Sequence, residues 1–282
     1  MIPRRTALLG AAMLAALSHA TVARAADVRI AIVQAQAGEA RKYQPLLDYL
    51  ARSGVAASFV AAPDYRGAAE LFAKGNVDAM FGGSGIAGTM MIKGLATPAV
   101  RAVGSDGVSS YHAVVVAPRG SPKFSGAPGY FDGKRVIFPA LASAGEFFFQ
   151  SVGRSRPAAI LKAASHGAAI DALARGQADV AIVKNHVWNK EKARYPALEE
   201  VGADSGENPD GSLIISPKLA PETALKIAAT LLALAGDGSP AAAAAKDSLR
   251  IRGYVAATEK DFAHTLAMLR KAGVTREFAF AF

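Results

Sequence analysis

Residues 83–88, Gly83-Ser84-Gly85-Ile86-Ala87-Gly88, fit G-x-G-x-x-G and follow a short apolar run, VDAMF at 77–81. Three chemistries suit such a stretch: a dinucleotide turn, a serine nucleophile, or an amide cradle for some other anion. A dinucleotide turn belongs after the first strand of its unit, with an acid about twenty residues on. Asp106 stands near that distance, but the stretch follows the third expected strand. A nucleophile turn needs G-x-S-x-G, and Ile86 holds the place of its last glycine. The cradle remains. The first turn of a helix leaves backbone N–H groups unpaired, and glycine lets an anion approach them. Ser84 is expected at the helix N-cap, followed by Gly85.

A second spot has the same character. Leu141-Ala142-Ser143-Ala144-Gly145 lies between VIFPA (136–140) and a helix, EFFFQSV (146–152). Two such turns facing one cleft would trap negative charge, which makes Ser143, Ala144 and Gly145 candidates beside Ser84 and Gly85. His166 precedes a helix, where its ring can donate to an anion. His186 follows ADVAIVKN (178–185), at the carboxyl end of a strand, where open α/β sheets bind ligands. His112 reads as a satisfied, partly buried residue at a strand start, and His264 as solvated. Glu199, Glu200, Asp204, Glu207 and Asp210 read as a solvated acidic loop.

The elements that must hold these residues are written in the hydrophobic pattern. GAAELFAKGNVDAMF (67–81) and GAAIDALARGQADVAIV (167–183) share one design: an amphipathic helix, a basic residue and glycine, an aspartate, then an apolar strand. Strands are also expected at 28–35, 57–63, 99–104, 112–117 and 134–140, and a helix at Tyr43–Ser53. Strands alternating with helices imply mostly parallel sheets flanked by helices. SLIISPKL (212–219) resumes after a polar loop, and three helices close the chain. The last is expected to start with a capping box at Thr258–Asp261 and to end at Gly273. The alternating tail Phe278, Phe280, Phe282 is expected to fasten a strand against the first lobe. The expected organisation is α/β and two-lobed: 27–116 plus 214–282 in lobe one, 117–213 in lobe two, with a ligand cleft between.

Composition narrows the function. The chain has 282 residues, 51% hydrophobic and 20% charged, with a formal charge of +9 and no cysteine. Disulfides, thiolate metal sites and a lipid-modified cysteine are thereby excluded. Arg4-Arg5, the apolar run ALLGAAMLAAL (7–17) and Ala23-Arg24-Ala25 form an export signal over 1–25, of Sec or twin-arginine type. Basic residues are scattered, so no nucleic acid is expected as a partner. The densest patch, KNHVWNKEKARY (184–195), reads as a solvated helix face with packed Trp188 and Tyr195. No H-E-x-x-H, P-loop or serine elbow occurs, and neither catalysis nor a cofactor is expected.

Ala62-Pro63-Asp64-Tyr65, Gly75-Asn76-Val77-Asp78, Tyr111 before HAVVVA, and Ala164-Ser165-His166 stand in an order that resembles one family. It is the phosphonate/phosphate-type solute-binding proteins of ABC importers, with the type II periplasmic-binding-protein fold. The resemblance spans most of the mature chain and implies that Tyr65, Tyr111, the 142–145 turn and His166 line the cleft. Two departures carry meaning. The family's turn reads S-T-S-G, whereas Ala142-Ser143-Ala144-Gly145 keeps one of its three hydroxyls. The family's acid for a ligand amine falls at His186, which argues against an aminophosphonate. The resemblance implies a monomeric periplasmic receptor that presents a small oxyanion to an ABC permease. Two alternatives stay open: an iron or copper protein using tyrosine and histidine ligands, and a ligand-presenting partner of a membrane sensor.

Overall fold

The computed structural model describes residues 27–34, 38–139 and 144–279. The expected export signal, Ser143, and the tail residues Phe280 and Phe282 lie outside these described residues. The chain begins with β1 (Val28–Val33), α1 (Gln44–Arg52), β2 (Ala57–Ala62), α2 (Tyr65–Ala73), β3 (Ala79–Gly82), α3 (Ser84–Ile92) and β4 (Thr97–Gly104). A short β5 (Ser110–Tyr111) leads to β6 (Ala113–Pro118), β7 (Arg135–Pro139), α4 (Ala144–Val152), β8 (Ala159–Ala163), α5 (His166–Ala174), β9 (Val180–Lys184), α6 (Asn185–Glu191) and β10 (Leu198–Ala203). The return passes through β11 (Asn208–Pro209) to β12 (Ser212–Ile215), α7 (Pro221–Ala233), α8 (Pro240–Leu249), β13 (Ile251–Ala256) and α9 (Ala263–Lys271).

The two similar stretches fold alike, down to their side-chain bonds. Asp64 caps α2 by accepting the Gly67 N–H at 2.7 Å, and Ser165 caps α5 by accepting that of Ala168 at 3.1 Å. Gly75 and Gly176 both take the left-handed conformation that ends a helix, with φ of 74° and 70°. Asp78 then accepts the backbone N–H and guanidinium of Arg29, and Asp179 does the same for Arg135. In each unit the strand carrying that arginine pairs in parallel with its two neighbours, β1 with β2 and β3, β7 with β8 and β9.

These units sit in separate sheets. One is ordered β13-β4-β12-β3-β1-β2, the other β10-β6-β9-β7-β8. In the first, β1 to β4 share a direction and β12 and β13 oppose them; in the second, only β6 opposes the rest. Helices cover both faces of each sheet with apolar clusters.

Sheet membership moves the expected boundaries. The sequence pattern puts β6 in lobe one up to residue 116, but it pairs with β9 and β10 in the second sheet; Ser212 and Leu213, expected in lobe two, lie in β12 of the first. The crossings therefore fall earlier, at β5 and β11, which pair with each other antiparallel, Tyr111 opposite Asn208. Apolar content alone did not say which sheet a buried strand joins.

The C-terminal segment also differs from expectation. β13 is not visible in the sequence pattern, which is broken by Arg250 in the left-handed region (φ 55°) and a register shift before Gly253. Thr258 and Asp261 do bond reciprocally, but they close a turn, and α9 starts at Ala263. Phe262 and Leu266 pack into the first sheet's core, whereas Met268, Leu269 and Val274 pack into the second's. Residues 275–279 form no strand, and Phe278 joins that second core rather than the first lobe.

Candidate functional site

The glycine stretch divides its labour. Gly82 ends β3 where a Cβ would stand 2.7 Å from Ile86, and Gly88 admits α9, since a Cβ there would meet Leu269 at 2.6 Å. Only open space lies where a Cβ on Gly83 would be. Gly83, not Ser84, is the N-cap of α3, and no side chain caps it, so the first amides of the helix keep no internal partner. Ser84 is the first helical residue. Its hydroxyl, fully buried, lies 2.5 Å from the hydroxyl of Tyr111.

Tyr111 anchors an electrostatic cluster. Burial pushes its phenol up to about 12, so it is a neutral donor or acceptor. The Lys184 ammonium stands 4.2 Å over its ring, within cation–π reach, and 2.5 Å from Asp210 Oδ1. Burial would lower the lysine and raise the aspartate. Their mutual attraction outweighs it, holding Lys184 above and Asp210 below their ordinary values. Asp210 Oδ2 lies 3.8 Å from His186 Nε2. His166 Nδ1 accepts the backbone N–H of Lys184 at 3.2 Å. Burial, aided by the lysine charge, lowers His166 to about 3, so its ring is neutral.

A cavity of about 370 Å³ opens between the two sheets, lined by Tyr65, Gly82 and Gly83 from the first unit and Ala164 and Lys184 from the second, with Asp210 from the crossing. Lys42 adds a further cation to its wall. Of the expected residues, Tyr65 lines this cleft, and Ser84, Gly85 and Tyr111 lie in the buried layer beside it. His166 stands behind Lys184. His186 lies across Asp210, in an adjoining cavity of about 250 Å³ with Ser110 and Lys190. Ala144 and Gly145 open α4; a Cβ on Gly145 would meet the Ile182 carbonyl oxygen at 2.7 Å, so this glycine serves helix–strand packing. The turn at 140–143 is outside the described residues.

Sequence reasoning missed Lys184 and Asp210. Lys184 reads as part of a solvated face, yet it ends a buried strand at its carboxyl end, the same signal that makes His186 a candidate. Asp210 reads as part of a solvated acidic loop, yet its acids are bonded. Asp204 bonds His264 at 2.8 Å, Glu207 bonds His112 at 2.8 Å and Ser110 at 2.9 Å, and Glu199 accepts the Gly120 N–H at 2.9 Å. His264 is thus paired rather than simply solvated.

The cluster does not suit a metal ion. A neutral, hydrogen-bonded Tyr111 is a poor phenolate source, His166 Nδ1 is engaged, and the Lys184 ammonium would repel a cation. Among the described residues, no group of three or more His, Cys, Asp or Glu could hold one. None of their helices is long and apolar enough to cross a membrane.

Residues 30–262 match the family model described as ABC transporter, phosphonate, periplasmic substrate-binding protein. No curated protein matched. Among solved structures, XAC2383 from Xanthomonas citri bound to ATP is 16% identical, with a TM-score of 0.72 over 87% of this chain and 96% of that one. A binding protein component of an ABC phosphonate transporter from Pseudomonas aeruginosa is 14% identical, with a TM-score of 0.64 over 86% of this chain and 87% of its own. PhnD1 from Prochlorococcus marinus in complex with methylphosphonate is 14% identical, with a TM-score of 0.65 over 87% of this chain and 98% of that one. The likenesses show the fold, that of the type II periplasmic binding proteins.

Proposed function

The chain belongs to the periplasmic substrate-binding proteins of phosphonate ABC transporters, and from that premise we propose that it captures a small oxyanion of the phosphate, phosphite or phosphonate kind for an inner-membrane permease. The family binds substrates for transport and is not one of enzymes. The observation that carries the ligand class is the meeting, in one cleft, of the uncapped N-terminus of α3 at Gly83 with the Lys184 ammonium and the Tyr65 side chain. Backbone amides at a helix start and a fixed cation are the two parts of an anion site. Lys42 on the same wall adds attraction at longer range. The Prochlorococcus and Xanthomonas proteins, bound to methylphosphonate and ATP, hold ligands with phosphorus-bound oxygens, which supports the same class here. Two units joined by a paired β5–β11 crossing suit closure of one lobe over the other. The export signal expected at 1–25 would accord with a periplasmic site of action.

Calorimetry and thermal shift against phosphate, phosphite, methylphosphonate, sulfate, an alkanesulfonate, ferric and cupric ions test this reading. A phosphorus oxyanion at a hundredfold excess over its Kd should add about 2.7 kcal/mol to stability. Stabilisation by iron or copper with none by any oxyanion would replace it with the metal alternative.

A further inference from the structure

Among the described residues, Asp210 is the single acid lining the cleft, and its carboxylate is already occupied. Oδ1 accepts the Lys184 ammonium at 2.5 Å and the Gly211 N–H at 3.0 Å, while Oδ2 faces His186 Nε2 at 3.8 Å. The lysine is held along its length. Its backbone N–H is bound by His166, its strand is buried between β6 and β7, and its ammonium rests on the Tyr111 ring. Both charged side chains still reach the surface of the cleft, 17% and 28% exposed.

We infer that Lys184 supplies from within the protein the ammonium that Asp210 would otherwise take from a ligand, so that the cleft selects oxyanions without a cationic substituent and rejects aminoalkylphosphonates. The inference rests on the oxyanion reading above and makes Lys184 its specificity residue. A ligand ammonium entering here meets a like charge at a carboxylate already neutralised, which disfavours the wrong ligand by repulsion rather than by shape. With the lysine neutralised, the Asp210 charge would face the cleft unpaired. The preference would then invert, since a bare carboxylate attracts an ammonium and repels a plain oxyanion.

The test is calorimetry on the full-length protein with methylphosphonate and 2-aminoethylphosphonate as probes. The wild type should bind methylphosphonate at least about tenfold more tightly. Lys184→Met and Lys184→Gln should reverse the order, and adding Asp210→Asn to Lys184→Met should abolish the gained amine affinity. Lys184→Arg, which keeps the charge, should preserve the wild-type order, and melting curves establish that each variant is folded. Equal wild-type affinities, an unchanged preference in the Met and Gln variants, or loss of both probes by those variants while folded would overturn the role of Lys184. Should the wild type bind neither probe nor any other oxyanion, the oxyanion reading falls as well. Retained methylphosphonate binding with an unmoved preference removes this inference alone.

Discussion

The hydroxyl of Ser84, on the first turn of α3, and the hydroxyl of Tyr111, in the crossing strand β5, share one buried hydrogen bond of 2.5 Å. This bond joins the rim of the cleft to the strand along which the chain leaves the first sheet. Removing either partner leaves the other's buried hydroxyl unpaired. Ser84→Ala and Tyr111→Phe should each cost about 1–3 kcal/mol in urea unfolding, and the double variant less than their sum. Full additivity would mean that the two hydroxyls are not coupled.

Gly83 and Gly88 belong to one motif but should fail in opposite ways. Gly88→Ala drives a methyl group against Leu269 and Thr265, 2.6 Å and 3.1 Å from the new carbon, and should cost about 1–3 kcal/mol by overpacking α9. Gly83→Ala meets nothing within 4 Å and keeps a φ of −71°, so stability should change by no more than about 0.5 kcal/mol. Its methyl group instead shields the amides at the helix start, and anion affinity should fall. Thermal melts and calorimetry on the two variants separate packing from binding.

The paired aspartates give an acid-sensitive contribution. At Asp78, burial would raise the carboxyl, but its bonds to Arg29 prevail; at Asp179, the bond to Arg135 leads. Both stand below the ordinary value. Their stabilisation is complete above the unfolded value of about 3.9 and fades as pH falls through the lower folded one. Asp78→Asn and Asp179→Asn should therefore lower Tm at pH 7, with the deficit shrinking in melts below about pH 4. A deficit independent of pH would place the effect in shape rather than charge.

His166 adds a second acid-sensitive contribution, this time by being held neutral rather than charged. Its folded value, about 3, lies below the unfolded value of about 6.5. As with the aspartates, the unfolded chain takes up a proton that the folded one refuses. Stability is full above about pH 6.5 and declines on acidification toward the folded value. His166→Asn should flatten the fall in Tm between pH 7 and pH 5 without abolishing it, because burial lowers His186 as well. An unaltered slope would show that His166 does not titrate in this way.

Local signals in the chain are legible where they are repeated or answer a need of the nearby backbone. The helix–glycine–aspartate–strand unit is visible as residues 67–81 and 167–183 because glycine and aspartate each answer a need of the backbone: a left-handed helix end and a bond to the neighbouring strand's arginine. Tyr65 was legible through its resemblance to a family. Lys184 and Asp210 were not. They lie 26 residues apart, and nothing in a linear pattern says that a strand end and a crossing will meet. Partnership also decided Asp204 and His264, which read as solvated singly and bond only when α9 returns. The sheet to which β6 belongs was hidden for a related reason, since an apolar strand fits any core.

The seating of α9 has a thermodynamic consequence. With Phe262 and Leu266 set in one core and Met268 and Leu269 in the other, neither half keeps a sealed interior if this last helix leaves. A protease nick just ahead of Phe262 would not liberate an intact lobe; it would open two apolar interiors to water together. The halves should accordingly share a single fate on heating, one calorimetric transition in place of two.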